Sequence, residues 1–461
     1  MIPENVTMVA EGAFNYCRKL TDITLPDRPI NFGAAVEANN KWYNTNTFFC
    51  SGIYNDKTKW ENGVLCIGDH LVAADKSTAT GEITVKEGIK YIANFAFKSC
   101  KNITKITLPD SLVSVNYHAF DGCSALMDVI ATGNNVKKIS NEAFYNSGFY
   151  NDETKWEDGV LYAGSCLIKA NEDVSKVEIK NGTTTIADNA FENCDALTDI
   201  TMPESVKVIG DYAFNGCSVL KSTQIHNKVE YIGDYAYRYC SALDEIIIPD
   251  SVTYLGDEAF SQCKGAKKLD IGSGIAEIKS GTFAGIAAEV ISIPLNITVI
   301  GDSAFSGCSF MTSLTIGENV KTIGDYAFYA CDSLVSIIIP DSVVSMGEAA
   351  IGSTSLKTIT IGKGLQTAKW EFVYLSALEE FIVSEENPYI SSKDGVLFNK
   401  DKTLLISYPN GKEDNEYIIP DGVVTIGDTA FLQAGISSVV IPNSVITIGR
   451  EHFQVAGSLQ I

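Results

Sequence analysis

One block of residues recurs along this chain, and it constrains the fold more than any other feature. The stretch Ile248-Pro249-Asp250-Ser251-Val252-Thr253-Tyr254-Leu255-Gly256-Asp257-Glu258-Ala259-Phe260 returns almost intact from Ile339-Pro340 to Ala350-Ile351. With the aromatic after Ala as anchor, the unit falls at Phe14, Phe97, Phe120, Phe144, Phe191, Phe214, Tyr237, Phe260, Phe283, Phe305, Phe328, Phe431 and Phe453. Phe48 also fits, and Ile351 and Val373 are degenerate members. Neighbouring anchors mostly stand 23 residues apart, and a Pro or Gly sits eleven residues before most of them, as at Pro203, Pro249, Gly317 and Pro340. A unit this short cannot bury its own apolar face, so it must stack on copies of itself and share an interior.

Within the unit, Leu243-x-x-Ile246-x-Ile248 alternates apolar and other residues and stops at Pro249, the pattern of a short strand ended by a residue that lacks an N–H. Val-x-x-Ile-Gly makes a second apolar contact before a turn. The Asp-x-Ala-Phe segment (Asp234, Asp257, Asp302, Asp325, Asp428) then predicts an N-cap and about one turn of helix or 3-10 structure.

The co-occurring I-P, I-G and A-F-x-x-C signals resemble the BspA-like leucine-rich repeats, the shorter Treponema-type class, over about 380 of the 461 residues. That resemblance implies an α/β repeat solenoid, a curved right-handed superhelix with a parallel sheet on one face and short β or 3-10 segments on the other. It implies one domain over residues 1–461 with about 16 recognisable repeats. It also implies a protein at the cell surface or secreted, which adheres to or binds host or bacterial proteins without catalysis.

The repeat breaks in three places, near residues 49–82, 145–180 and 384–419. Ser51-Gly52-Ile53-Tyr54-Asn55-Asp56 recurs as Ser147-Gly148-Phe149-Tyr150-Asn151-Asp152, and Lys59-Trp60-Glu61 as Lys155-Trp156-Glu157. Both lead into Gly-Val-Leu, and the third break carries Asp394-Gly395-Val396-Leu397-Phe398 followed by a turn at 399–403. Two apolar runs around a turn of Gly, Asp, Asn and Lys predict an inserted β-hairpin at each. These hairpins either brace the stack or supply contact surface, with Tyr54, Trp60, Tyr150 and Trp156 as the exposed candidates.

Nine of the twelve cysteines share one position, three residues after the anchor: Cys17, Cys100, Cys123, Cys194, Cys217, Cys240, Cys263, Cys308 and Cys331. Ser147, Ile286, Thr354, Ala434 and Ala456 take that position elsewhere. The paired spacings of a zinc site are missing. Disulfides between stacked coils would need Cβ vectors that converge rather than run parallel. The column therefore reads as small, soft side chains packed inside.

Nothing in the chain marks catalysis. His70, His118, His226 and His452 occupy unrelated repeat positions and read as isolated surface histidines, and no H-E-x-x-H, G-x-S-x-G or phosphate-binding loop occurs. Asp110, Asp250, Asp341 and Asp421 follow Pro at turns, where bonding to backbone explains them. A stacked Asp column binding Ca²⁺ is the one metal alternative. No catalytic, metal or cofactor residue is assigned. The 35 basic and 57 acidic residues, net -22, disfavour nucleic acid and anionic membranes, and no apolar run is long enough to span a bilayer. The N-terminus has no signal-peptide pattern; because the repeat is cut at both ends, the natural gene is expected to continue on at least one side and to encode a secretion signal.

A binding face follows from strand geometry. In L-x-x-I-x-I the residue between the last two apolar positions points away from the core. That column reads Thr24, Thr107, Ile130, Thr201, Gln224, Ile247, Asp270, Ser292, Thr315, Ile338, Thr360, Ile382 and Val440. Thr and Ser suit a plain solvated strand face, whereas the Ile and Val members either mark contact with a partner or are there simply as good strand formers. The expected protein is a monomeric, non-catalytic binding or adhesion module, with a protein of the host matrix or bacterial surface, or a glycan, as partner. A structural spacer for another domain, and a carbohydrate-binding or hydrolytic protein using acidic and aromatic residues on the inserts, are the alternatives.

Overall fold

The computed structural model describes residues 1–10, 12–26, 30–34, 47–131, 133–353, 355–366, 372 and 374–450. Phe453, Val373, Thr354, Ala456 and His452 lie outside them. The chain divides into two compact units, residues 1–215 and 216–461.

One coil of the second unit shows the plan of both. The strand Glu245–Ile248 runs parallel to Lys268–Ile271 of the next coil, with Ile246 opposite Leu269 and Ile248 opposite Ile271. Beyond Pro249, the short strand Tyr254–Leu255 pairs in parallel with Tyr231–Ile232 one coil back. On a third side the N–H groups of Tyr235, Tyr237 and Tyr239 donate to the carbonyls of Asp257, Ala259 and Ser261 at 2.8, 2.7 and 2.9 Å. Backbone groups on all three sides are therefore satisfied by the neighbour one repeat away, which makes the chain a solenoid of stacked parallel coils.

The Asp-x-Ala-Phe segment differs from its sequence prediction. The residue before Ala is left-handed in coil after coil, with φ of 57° at Tyr212, 59° at Tyr235, 49° at Glu258 and 56° at Tyr326. So is the second residue after the anchor, at 61° in Tyr239 and 63° in Gln262. A left-handed residue at each corner stops a right-handed helix from propagating. The Asp side chain bonds outward instead of capping its own turn. Asp234, Asp302 and Asp325 each accept through Oδ1 the N–H of the equivalent residue one coil on, at 3.0, 2.8 and 2.7 Å. Among the described residues only Asn141–Phe144 takes the 3-10 form at this position.

The anchors fill the interior. Phe97, Phe120, Phe144, Phe191, Phe214, Tyr237, Phe260, Phe283 and Phe305 are fully buried. Coil stacking places their rings face to face, 4.8 Å apart for Phe97 and Phe120, 4.9 Å for Phe191 and Phe214, and 5.1 Å for Tyr237 and Phe260. The cysteine column lies beside them. Cys123, Cys263 and Cys308 donate Sγ–H to the carbonyls of Phe97, Tyr237 and Phe283, the anchors of the preceding coil, at 3.1, 3.1 and 3.3 Å. Burial pushes the Cys100 thiol up to about 11 and the Cys123 thiol up to about 12. Each thiol thus answers a carbonyl that Ala would leave with one partner fewer. Cys17 is the exposed member of the column.

Each break in the repeat is a three-stranded antiparallel meander, one strand more than two apolar runs suggest. In the first unit the strands are Trp60–Glu61, Val64–Ile67 and His70–Ala74, and again Trp156–Glu157, Val160–Ala163 and Cys166–Ala170. In the second they are Ile390–Lys393, Val396–Asn399 and Leu404–Ser407. All three share a turn of two left-handed residues: Asn62 and Gly63 (φ 49° and 78°), Asp158 and Gly159 (50° and 80°), Asp394 and Gly395 (53° and 80°). That is the type I′ geometry that X-Gly favours. The last strand of each meander rejoins the stack, pairing in parallel as His70 with Tyr91, Cys166 with Thr185 and Leu404 with Thr425. The meanders stand in for part of a coil instead of interrupting the ladder.

Candidate binding face

The outward column is brought into line within each unit. In the first, Thr84, Thr107 and Ile130 are opposite one another on three paired strands, and Glu178 is opposite Thr201. In the second, Ile247 faces Asp270, Ser292 faces Thr315, and Ile338, Thr360 and Ile382 form a continuous row. Ile418 and Val440 pair likewise. Thr24, Ile130, Thr201, Ile247, Thr315, Ile338 and Ile382 are exposed, while Thr107 and Thr360 are half-buried. Gln224 is the exception: it is exposed but lies outside any strand, with φ 52°, and its Nε2 is 3.2 Å from Ser222 Oγ. Its repeat also has His226 where others have Pro or Gly.

Sequence reading missed Thr84, Glu178 and Ile418. Ile418 could have been found from Ile418-Ile419-Pro420, which keeps the I-x-P spacing although the Leu that opens the unit is gone.

The row in the second unit borders a groove of about 560 Å³. Its floor runs from Thr315 through Ile338 and Thr360 to Ile382, and its far wall is made by the turns at Pro340-Asp341 and Gly362, with Glu318 at one end. Ile338 is 65% exposed and Ile382 44%, values far above those of the core isoleucines one residue away on either side of Ile338. At these exposures the two isoleucines add little to the core.

The meander aromatics do not form the exposed contact set that their sequence suggested. Tyr54, Trp60, Tyr150 and Trp156 are half-buried and pack against the core of the first unit. Trp60 Nε1 donates to the Tyr54 carbonyl at 3.0 Å and Trp156 Nε1 to the Tyr150 carbonyl at 3.1 Å. Each indole meets its tyrosine edge to face, at 5.1 and 5.6 Å. The indole N–H groups and the tyrosine–tryptophan ring pairs are engaged inside the meander, which favours a bracing role.

Two of the histidines, His70 and His118, differ from isolated surface groups. His70 is buried, lies 2.7 Å from an Asp69 carboxylate oxygen and packs on Tyr91 and Phe32. His118 lies 3.3 Å from Asp121 and 3.7 Å from Glu142 and stacks on Phe95. Burial lowers its pKa despite both carboxylates. Beside the second meander, Lys138 reaches Asp211 and, at 3.3 Å, Asp188. Burial opposes the Lys138 charge, yet the two carboxylates hold its pKa above the ordinary lysine value, while burial pushes Asp188 up to about 7. His70 has its own partners, whereas Glu142, beside His118, lines one pocket with Lys138, Asp188 and Asp211. Among the described residues no group of three or more His, Cys, Asp or Glu is arranged to hold a metal ion, and the repeated Asp carboxylates accept backbone N–H groups, as at Asp250 from Ser273 (2.7 Å) and Asp341 from Lys363 (2.9 Å).

The repeat geometry agrees with one family. A model of the BspA-type leucine-rich repeat region matches in six copies, over residues 1–46, 73–155, 167–288, 276–400 and 410–461. The chain belongs to the BspA-type leucine-rich repeat family. Among curated proteins none matches it in sequence. Solved structures similar to this BspA-type chain include a leucine-rich repeat protein from Bacteroides ovatus, at 22% identity and TM-score 0.46, covering 76% of this chain and 86% of that one. A leucine-rich cell surface protein from Faecalibacterium prausnitzii matches at 22% identity and TM-score 0.33, covering 66% and 79%. The pneumococcal vaccine antigen PcpA matches at 22% identity and TM-score 0.36, covering 65% and 67%. Among the described residues no helix is long and apolar enough to cross a membrane.

Proposed function

We propose that this BspA-type chain is a non-catalytic binding module of the cell surface or extracellular space, and that it engages a protein partner through the outward column of its sheets. The observation that carries this reading is the row Ile338, Thr360, Ile382, in which exposed isoleucines border a groove on a rigid parallel sheet. Apolar side chains at such positions cost solubility and return no core burial, and exposed apolar patches of this kind mark contact surfaces. A solenoid is suited to the task because each coil is held by its neighbours, so the face is presented without an ordering cost on binding.

The test is capture of purified matrix and bacterial surface proteins by the immobilised chain. A partner is expected whose binding is lost in the Ile338→Asp and Ile382→Asp variants and kept in Trp60→Phe and Trp156→Phe. A partner indifferent to the isoleucines but lost with the tryptophan changes would place binding on the meanders instead.

A further inference from the structure

The first unit builds the same meander twice, and one position differs between the copies. Cys66 pairs across its antiparallel ladder with Leu71, Tyr162 with Leu167 and, in the second unit, Phe398 with Leu405. The position therefore carries an aromatic ring in two meanders and only a thiol in the first. We propose that the groove beside the first meander binds a phenol, whose ring takes the place that Tyr162 holds in the second. This is a ligand site separate from the row at Ile338 and Ile382 and does not depend on it.

Tyr162 shows how such a ring is held. Its hydroxyl accepts the Lys180 N–H at 3.4 Å, and the Lys180 ammonium lies over the ring, 5.6 Å from its centre. The same ammonium bonds both carboxylate oxygens of Glu157, at 2.9 and 3.0 Å. Lys86 and Glu61 stand at the equivalent places in the first meander. The equivalence is fixed by the residue before each lysine: Val85 and Ile179 donate N–H to the Thr107 and Thr201 carbonyls of the next coil, at 2.9 and 3.0 Å. Among the described residues, however, Lys86 has neither an ion-pair partner nor an acceptor for its N–H. The donor and the cation that hold a ring in one copy are uncommitted in the other, where the ring is missing.

Each meander is bordered by a groove of about 410 Å³, but the two grooves run differently. The first passes Cys66 and reaches Leu71 and Ile89, both residues of the core. The second stops at Tyr162, and Leu167 and Thr183, equivalent to Leu71 and Ile89, do not line it. A ring lying on Cys66 covers that apolar floor and meets a polarisable sulfur, a contact that aromatic rings favour. Lys86 then supplies a cation to the ring face, and its N–H a donor to the hydroxyl. An apolar floor with few polar groups aimed at one end is the ordinary form of a small-ligand site.

The experiment titrates the full chain with para-fluorophenol and follows the fluorine resonance by NMR. A saturable shift is expected, reversed by para-cresol and not by cyclohexanol. A blocked Gly-Tyr-Gly peptide separates the two sources of a phenol: displacement by the peptide as well assigns the site to a tyrosine side chain, and displacement by cresol alone to a free phenol. Binding should be lost in Cys66→Tyr, which fills the first groove as Tyr162 fills the second, and restored when Tyr162→Cys is added. Circular dichroism verifies that both variants fold. A measurement on the unaltered chain guards against a variant that does not: saturating para-fluorophenol should slow alkylation of Cys66 and leave Cys17 and Cys50 unchanged, as read by mass spectrometry. Absence of a saturable shift, equal displacement by cyclohexanol, or binding that survives Cys66→Tyr would overturn the proposal, as would unaltered alkylation of Cys66.

Discussion

Residues 228–361 and residues 47–215 are built from the same repeat, yet they hold themselves together differently. In the first stretch the coils are unbroken, and polar side chains find partners about one repeat away. Ser280 Oγ reaches the Asp302 carbonyl 22 residues on, Thr312 reaches the Glu289 carbonyl 23 residues back, and Cys263 reaches Tyr237, 26 back. In the second, two meanders each take the place of part of a coil; many partners are again about one repeat away, as Cys123 to Phe97, but beside the second meander some are remote. Thr185 bonds the Val136 carbonyl 49 residues away, and Lys138 bonds Asp211 across 73. Regular coils are stabilised by repetition. The second break is held in addition by the particular contacts of Thr185 and Lys138.

The largest expected effect breaks the regular region. Phe260→Ala removes a ring stacked on Tyr237 at 5.1 Å and Phe283 at 6.1 Å and leaves a cavity in the centre of the column. A loss of about 3–5 kcal/mol in denaturant unfolding is expected. A loss below about 1 kcal/mol would mean that the column is not a packed interior.

At the second break, Lys138→Met leaves Asp188 without its cation. The Lys138 side chain is 46% exposed, so the loss is discounted to about 1–2 kcal/mol. The sign with pH is definite. The folded pKa of Asp188 is raised above its unfolded value of 3.8, so its contribution is most favourable below about pH 4 and is lost as pH rises through about 7. Without Lys138 that loss deepens, and melting curves should separate wild type and variant more at pH 8 than at pH 5. Equal separation at both would remove Asp188 from the account.

The smallest effect sharpens the likeness between the two first-unit meanders. Trp60→Phe and Trp156→Phe each delete one N–H···O=C bond and should cost about 1 kcal/mol apiece. Losses that differ strongly between them would show that the meanders are not equivalent braces.

The same comparison explains what could be read in advance. Phe260, Cys263 and Ile246 were legible because repetition displays each buried position many times over. The breaks were legible as hairpins, since Asp-Gly and Asn-Gly between apolar runs specify a turn. Lys138 was not, because nothing in the sequence ties it to residues 50 and 73 positions away. The Asp of Asp-x-Ala-Phe was misread for a different reason. A carboxylate that caps its own turn and one that accepts the N–H of the next coil look identical along the chain, and only the left-handed residue beside it, Tyr235 or Glu258, separates them. Trp60 and Trp156 looked exposed because they lie outside the repeat, yet the meander folds over them. On the outward column, Ile338 and Ile382 were visible from strand alternation alone; the groove beside them required the turns at Pro340 and Gly362 to be placed.

Thiol reactivity tests most directly the claim that recurring side chains fill a shared interior. Nine of the twelve cysteines are buried, and Cys17, Cys50 and Cys66 are at least partly accessible. Titration of the native, reduced chain with an aromatic disulfide reagent should give two prompt equivalents, from Cys17 and Cys50, a slower third from Cys66, whose thiol burial pushes up to about 11, and all twelve once denaturant is added. Prompt reaction of most of the column in the native protein would contradict the stacked-coil account.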